Sequence, residues 1–249
     1  MTQLVGILNI TPDSFSDGGR FVEPSIALDH AAQLFKDGAS LIDIGAESTR
    51  PGATPITDKQ EWQRLEPVLP RLMRHFPGKI SLDTYHPQTA DRALQLGDVI
   101  INDVTGMNNP DMVAVVAKHK ARCIVSHLPS SDVQTAHAQK SVASVQHVRD
   151  DLLAKALELQ AAGVPKQNII LDPGIGFGKT PELNIELLKF AKQVPDYKVM
   201  IGYSRKRFLG EHRMELAPNL NAGRVAIAAG ASYLRVHDVA GHRVLLSEQ

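Results

Sequence analysis

Asn9-Ile10-Thr11-Pro12-Asp13-Ser14-Phe15-Ser16-Asp17-Gly18-Gly19 follows directly on the apolar run Leu4-Val5-Gly6-Ile7-Leu8. A short apolar run that opens into a polar loop punctuated by Gly and Pro is ordinary once. Here it recurs along the chain. Later apolar runs end in Asp43-Ile44-Gly45-Ala46-Glu47, Ser81-Leu82-Asp83-Thr84, Asn102-Asp103, Ser126-His127, Asp172-Pro173-Gly174, Ser204-Arg205-Lys206 and Arg235-Val236-His237-Asp238. Eight strands that each end in reactive or hydrogen-bonding side chains describe a closed parallel α/β barrel with its chemistry on the C-terminal rim of the strands.

The segments between these ends support that reading. The strand-like runs fall at 5–8, 41–44, 79–83, 99–102, 122–127, 168–172, 198–204 and 233–237. Helical stripes lie between them: Ile26, Ala27, Ala31, Leu34 and Phe35; Leu65, Leu69 and Leu72 within 62–73; Val145, Val148, Leu152, Ala156 and Leu159 within 142–162; Leu183, Leu187, Leu188 and Ala191 within 182–194. Spacing of three and four residues puts each set on one helix face. Strict alternation of strand and helix calls for a parallel sheet with right-handed crossovers. An open doubly wound sheet would gather its functional residues at one switch point instead. No Gly/Ser- or Pro-rich linker divides the 249 residues, so one barrel domain over 1–249 is expected. Residues 211–224, with Pro218 and Gly223, read poorly as helix, and 240–249 are too few for a full last helix. A curtailed last helix, or cover from a partner subunit, is the expectation there.

Composition excludes several classes. Lys+Arg and Asp+Glu both number 27. A formal net charge of zero argues against nucleic acid or an anionic membrane as partner. No apolar run approaches the roughly 18 residues of a membrane span, and no charged leader precedes an apolar core, so a cytoplasmic location is expected. The single cysteine, Cys123, sits in an apolar run and reads as a core residue that forms no intrachain disulfide.

The glycine-rich loop Asp172-Pro173-Gly174-Ile175-Gly176-Phe177-Gly178-Lys179 follows a strand, which raises a nucleotide loop. Pro173 stands where a P-loop needs its first glycine, and the spacing G-x-G-x-G misses the dinucleotide fingerprint. The glycines still allow close backbone approach to a ligand. Asp172 is a carboxylate for N–H groups of a flat heterocycle, against the plainer alternative of a turn cap. Asp83 and Asn102 end neighbouring strands and would add an acceptor and an amide. These carboxylates lie on separate strands without close His/Glu spacing, so no tight structural metal site is expected among them. Arg235 and His237, two apart at the end of strand eight, face one side of the sheet. With Asn9 they form a candidate anion pocket, since Arg grips phosphate oxygens in pairs. Lys206, in the basic run 205–207, would bridge ligand and Asp172. The loops 11–19 and 47–52 are long enough to act as flaps. His30, His75, His119, His137 and His147 read as ordinary surface or core residues.

Taken together and in order, these motifs resemble dihydropteroate synthases, from the first strand to the last. The resemblance implies a TIM-type (β/α)8 barrel, a transferase of folate biosynthesis, and condensation of 6-hydroxymethyl-7,8-dihydropterin pyrophosphate with p-aminobenzoate, releasing pyrophosphate with Mg²⁺ bound. It implies that Asp83, Asn102, Asp172 and Lys206 hold the pterin. Asn9, Arg235 and His237 would hold the pyrophosphate, with Asn9 reaching Mg²⁺. Thr49 and Arg50 would close near the phosphates, and Phe15, Pro51, Phe177, Lys206 and Arg207 would frame p-aminobenzoate. Small-molecule substrates and a homodimer are implied, with neither nucleic acid nor membrane. The chain departs from the family pattern at Ser126-His127-Leu128, where Met-His-Met is usual, and at Arg207, where Ser is frequent. The competing readings are a pterin-dependent methyltransferase component and a catalytically silent pterin-binding paralogue.

Overall fold

A computed structural model describes residues 1–11, 23–48, 53–129 and 142–248. Eight parallel strands close on themselves in sequence order: β1 (Gln3–Asn9), β2 (Leu41–Gly45), β3 (Ile80–Asp83), β4 (Ile100–Asp103), β5 (Cys123–Ser126), β6 (Ile169–Asp172), β7 (Lys198–Ile201) and β8 (Tyr233–Val236). β8 returns to β1 through the pairs Gln3↔Tyr233 to Gly6↔Val236. All eight strand-like runs are strands. β7 is the shortest relative to its apolar run, stopping at Ile201 and leaving 202–204 as the start of a loop.

The two-residue period of a strand sorts side chains between lumen and helices. Val5, Leu41, Ile100, Ile124, Ile170, Met200 and Tyr233 form one buried cluster of their own and plug the barrel. Their neighbours of opposite parity, such as Leu4, Ile42, Ile101 and Leu171, join the larger core under the helices. Two residues further along the plug strands stand Ile7, Asp43, Asn102, Ser126, Asp172, Gly202 and Arg235. The same parity therefore carries the inward series from an apolar floor to a polar rim within one step.

The helices are α1 (Pro24–Lys36), α2 (Asp58–Leu65), α3 (Leu69–His75), α4 (Pro87–Leu96), α5 (Pro110–Lys118), α6 (Val145–Ala161), α7 (Pro181–Leu187), α8 (Leu216–Ala228) and the single-turn α9 (Val239–His242) and α10 (Val244–Ser247). The stripes predicted for α2/α3, α6 and α7 are buried almost throughout, Val145 only in part. Four expectations need correction. The stretch 62–73 is two helices, because Pro67 lacks the N–H that would bond Gln63 and its ring collides with that turn. The stretch 182–194 is α7 followed by a 3-10 turn at Phe190–Gln193. Ile26 is exposed, since the buried face of α1 runs Ala27, Ala31, Leu34 and passes it by. Residues 216–224 are helical after all: Pro218 falls in the first turn of α8, where its missing N–H has no intrahelical role. α4 and α5, not singled out from the sequence, each begin with Pro behind an extended N-cap residue. After β8 the described residues hold the single-turn α9 and α10. Cys123 is fully buried, and burial raises its thiol to about 12.

The plug predicts a sharp contrast in stability. Ile124→Ala should cost about 2–5 kcal/mol in denaturant unfolding. Leu157→Ala, on the outer face of α6 at 64% exposure, should change stability by less than about 0.5 kcal/mol.

Candidate active site at the barrel mouth

Strand register sets the rim. Asn9 pairs with Gly45, Gly45 with Asp83, and Asp83 with Asn102, so four consecutive strands present these positions at one level. Gly45 leaves a gap: a Cβ there would lie 3.8 Å from Asp83 Oδ2 and 3.9 Å from Asn9 Oδ1. Gly202 leaves the matching gap on the other side. A Cβ there would lie 3.7 Å from Asp172 Oδ2, 3.9 Å from Arg235 Cβ and 4.0 Å from Lys206 Nζ. Asn9, Asp83, Asn102, Asp172, Lys206 and Arg235 thus gather around one opening.

Arg235 organises it. Its Nε donates to Asp43 Oδ2 at 2.6 Å and one terminal nitrogen donates to Asp83 Oδ2 at 3.0 Å. Asp43 Oδ2 also accepts from Asn102 Nδ2 at 3.0 Å. Asp43 is fully buried. It was not among the site residues expected from the sequence, although it ends an apolar run as the others do. Its place one step below Gly45, on the lumen side, was the available signal. Burial, with Asp43 beside it, raises the Asp83 carboxyl to about 7, and Arg235 opposes that rise. Burial also raises Asp172, against the pull of Lys206. Burial lowers Lys206 to about 8, although Asp172 favours its charged form.

The basic run 205–207 splits by backbone geometry. Arg205 takes a positive φ of 61°, and its N–H donates to Asn219 Oδ1 at 2.9 Å. Lys206 then turns inward: it donates to the Ile175 carbonyl and its ammonium stands 5.3 Å from the Phe177 ring centroid. Arg205 and Arg207 are exposed. His237 lies just past β8, with Nδ1 3.0 Å from Ser204 Oγ and its N–H donating to the same oxygen at 3.3 Å. Ser204 supports His237 from within its own strand-end motif, and Asn219 is a supporting residue that no motif announced.

The glycine-rich loop folds around its own lysine. Gly174, Gly176 and Gly178 all have positive φ. Lys179 Nζ donates to the carbonyls of Gly174 and Phe177, both at 2.9 Å, and His127 at 3.3 Å, and stands 3.1 Å from His127 Nδ1. Burial, with Lys206 adding repulsion, lowers this ammonium to about 7. Lys179 is therefore a clamp inside the loop. Asp172 Oδ1 accepts from Gly174 N at 2.7 Å, and Phe177 packs with Val104 and Leu128 at the pocket edge. Ser126, paired with Asp172 in register, is buried beneath them. Phe15, Thr49, Arg50 and Pro51, with the loop 12–19, lie outside the described residues, as does His137.

Residues 5–237 match the pterin binding enzyme family. The chain is 38% identical to the dihydropteroate synthase of Streptococcus pyogenes serotype M6, over 98% of this chain and 93% of the relative. This chain belongs to the dihydropteroate synthase family of pterin-binding enzymes. Among solved structures, the Xanthomonas albilineans dihydropteroate synthase with 4-aminobenzoic acid is 34% identical at a TM-score of 0.87, covering 99% of this chain and 91% of that one. The Thermus thermophilus dihydropteroate synthase in complex with 6HMPPP is 34% identical at a TM-score of 0.82, covering 99% and 92%. The dihydropteroate synthase barrel is thus the frame within which Asp43, Asp83 and Arg235 meet.

Gly174 offers a test of the loop. Its φ of 62° suits glycine, and a Cβ would lie 2.0 Å from the His127 carbonyl oxygen. Gly174→Ala should lower unfolding free energy by more than about 2 kcal/mol, whereas the exposed Gly163→Ala, with nothing within 4 Å of its Cβ, should cost only the roughly 1 kcal/mol of its positive φ.

Proposed function

We propose that this chain is a dihydropteroate synthase acting at the barrel mouth. It condenses 6-hydroxymethyl-7,8-dihydropterin pyrophosphate with p-aminobenzoate and releases pyrophosphate. The observation that carries this reading is the arrangement around Arg235: carboxylates and an amide share one opening with two inward cations, Asp43 and Asp83 bonded to the guanidinium and Asp172 beside Lys206. The relatives that hold 6HMPPP and 4-aminobenzoic acid support it by family.

The residues divide the work by charge. Asp83, Asn102 and Asp172 accept and donate hydrogen bonds at the edge of the pterin, with Lys206 beside it. Arg235 commits two of its five N–H groups to carboxylates and turns the rest toward the diphosphate. His237 and Asn9 complete that side. Departure of pyrophosphate leaves positive charge on the pterin methylene, which the nearby carboxylates stabilise while Arg235 stabilises the leaving oxygens. The amine of p-aminobenzoate needs positioning more than activation. Phe177, Lys206 and Arg207, with Phe15 and Pro51, frame that acid, and Thr49 and Arg50 close near the phosphates and exclude water. Ser126 puts a hydroxyl where the family usually has a thioether.

Mg²⁺ fits this mouth at Asn9, whose Oδ1 is a neutral oxygen donor facing the gap above Gly45. Magnesium takes few protein oxygens when substrate phosphates supply others, and when bound it would neutralise charge on the departing diphosphate. A homodimer and a cytoplasmic location belong to the same reading. Among the described residues no helix is long and apolar enough to cross a membrane, and Ile185 and Met214 offer exposed apolar contacts for a second copy.

Two measurements test it. Arg235→Ala should lower pyrophosphate release by on the order of 100-fold and, by leaving Asp43 and Asp83 without their guanidinium partner, also weaken pterin binding; pterin binding with no turnover in the unaltered chain would instead mark a silent paralogue. The pH dependence of pterin affinity should also have a fixed sign. Asp83 must be ionised to accept pterin N–H groups, so affinity rises with pH through about 7. Lys206 loses its proton above about 8, so affinity falls again there. Titration calorimetry of Asp83→Asn should show the acid-side limb gone.

A further inference from the structure

Between the ends of β2 and β3, Glu47, Glu61 of α2 and His86 converge. Each offers a ligand atom within 4.8 Å of those of the other two. Glu61 is fully buried, and the side chains of Glu47 and His86 are 4% and 16% exposed. Their outer atoms are already held. Tyr85 Oη donates to Glu47 Oε1 at 2.5 Å and Ile56 N donates to the same oxygen at 3.2 Å. Thr84 Oγ1 donates to Glu61 Oε2 at 2.7 Å. Thr89 turns its hydroxyl to the Asp58 carbonyl at 3.5 Å. Two atoms remain: Glu47 Oε2 meets His86 Nε2 at 2.9 Å, and Glu61 Oε1 is buried with no hydrogen-bond partner.

Burial raises the Glu61 carboxyl to about 7, so these two buried carboxylates and one imidazole hold protons where a cation could stand instead. The orphaned oxygen, the imidazole and the second carboxylate are a donor set for one cation. We infer that Glu47, Glu61 and His86 bind a divalent transition-metal ion of the zinc class. An imidazole with two carboxylate oxygens suits that class better than magnesium. Zinc bonds of about 2.0–2.2 Å place tetrahedral ligand atoms about 3.4 Å apart, inside the 4.8 Å that bounds these three atoms. On binding, the proton between His86 Nε2 and Glu47 Oε2 and any proton on Glu61 leave to solvent, and the metal takes their place. Tyr85, Ile56 and Thr84 already form the outer hydrogen bonds that orient such ligands. Glu47 directly precedes Ser48-Thr49-Arg50, so the ion would pin the root of the second loop to β3 and α2. This site is separate from the one at Asn9.

A second group, His127, His147 and Asp151, could compete for added metal, and the test separates the two. The full chain is expressed with zinc supplementation and desalted, and its metal content is measured. The stripped protein is then titrated with Co²⁺ and with Zn²⁺ against a chelator. About one equivalent should remain on the unaltered chain and on His147→Ala. Glu61→Gln and His86→Ala should each lose affinity on the order of 10–100-fold or more. His86→Ala should also lose the visible Co²⁺ absorption of nitrogen ligation. If Glu61→Gln does not fold, His86→Ala carries the test. No metal held by the unaltered chain, or retention that survives His86→Ala and disappears in His147→Ala, overturns the proposal.

Discussion

Arg235 reaches from β8 across the lumen to the carboxylates of β2 and β3, and the mouth is built around that span. Its bond to Asp43 buries a carboxylate completely, which is tolerable only because the guanidinium and Asn102 satisfy one of its oxygens. Its bond to Asp83 holds a second carboxylate beside the first. Burial, with the Asp43 charge beside it, raises Asp83 to about 7 against the pull of Arg235. Three rim carboxylates, Asp43, Asp83 and Asp172, face two inward cations, Arg235 and Lys206. That acidic excess suits a ligand edge rich in N–H groups, while the spare guanidinium donors suit an anion.

The supporting loops divide charged residues between structure and chemistry. Lys179 and Lys206 lie near each other, and both lose solvent on folding. Lys179 spends its donors on loop carbonyls, which converts a flexible glycine run into a fixed wall for Phe177. Lys206 keeps its ammonium beside that ring and near Asp172, where a ligand can meet it. A metal at Glu47, Glu61 and His86 would extend the same economy to the second loop, by fixing its first residue from behind.

Much of this was legible along the chain. The apolar runs located all eight strands, and their polar ends located the rim residues Asn9, Asp83, Asn102, Asp172 and Arg235. Asp43 belonged to the same pattern and was passed over, because a carboxylate two residues before a glycine does not reveal that an arginine 192 positions later will face it. α8 was missed because Pro218 and Gly223 count against a helix in any local reading. In the fold, Pro218 sits where no hydrogen bond is lost, and Gly223 lets the helix lie against Tyr203 and Leu245. The long stripe at 62–73 misled in the opposite sense: its apolar spacing is right, but Pro67 divides it.

The sequence alone determined the strands, their alternation with helices, and which positions of each strand share a face, because these follow from short-range periods of two and 3.6 residues. It also determined the family, through motifs carried in order. Only the tertiary structure decided that Asp43 and Asp83 share Arg235, that Lys206 turns inward between two exposed arginines, and that Lys179 clamps its own loop. The first depends on closure of β8 onto β1, which sets distances between residues remote in the chain, and the other two on left-handed turns at Arg205 and the loop glycines; no local period carries that information.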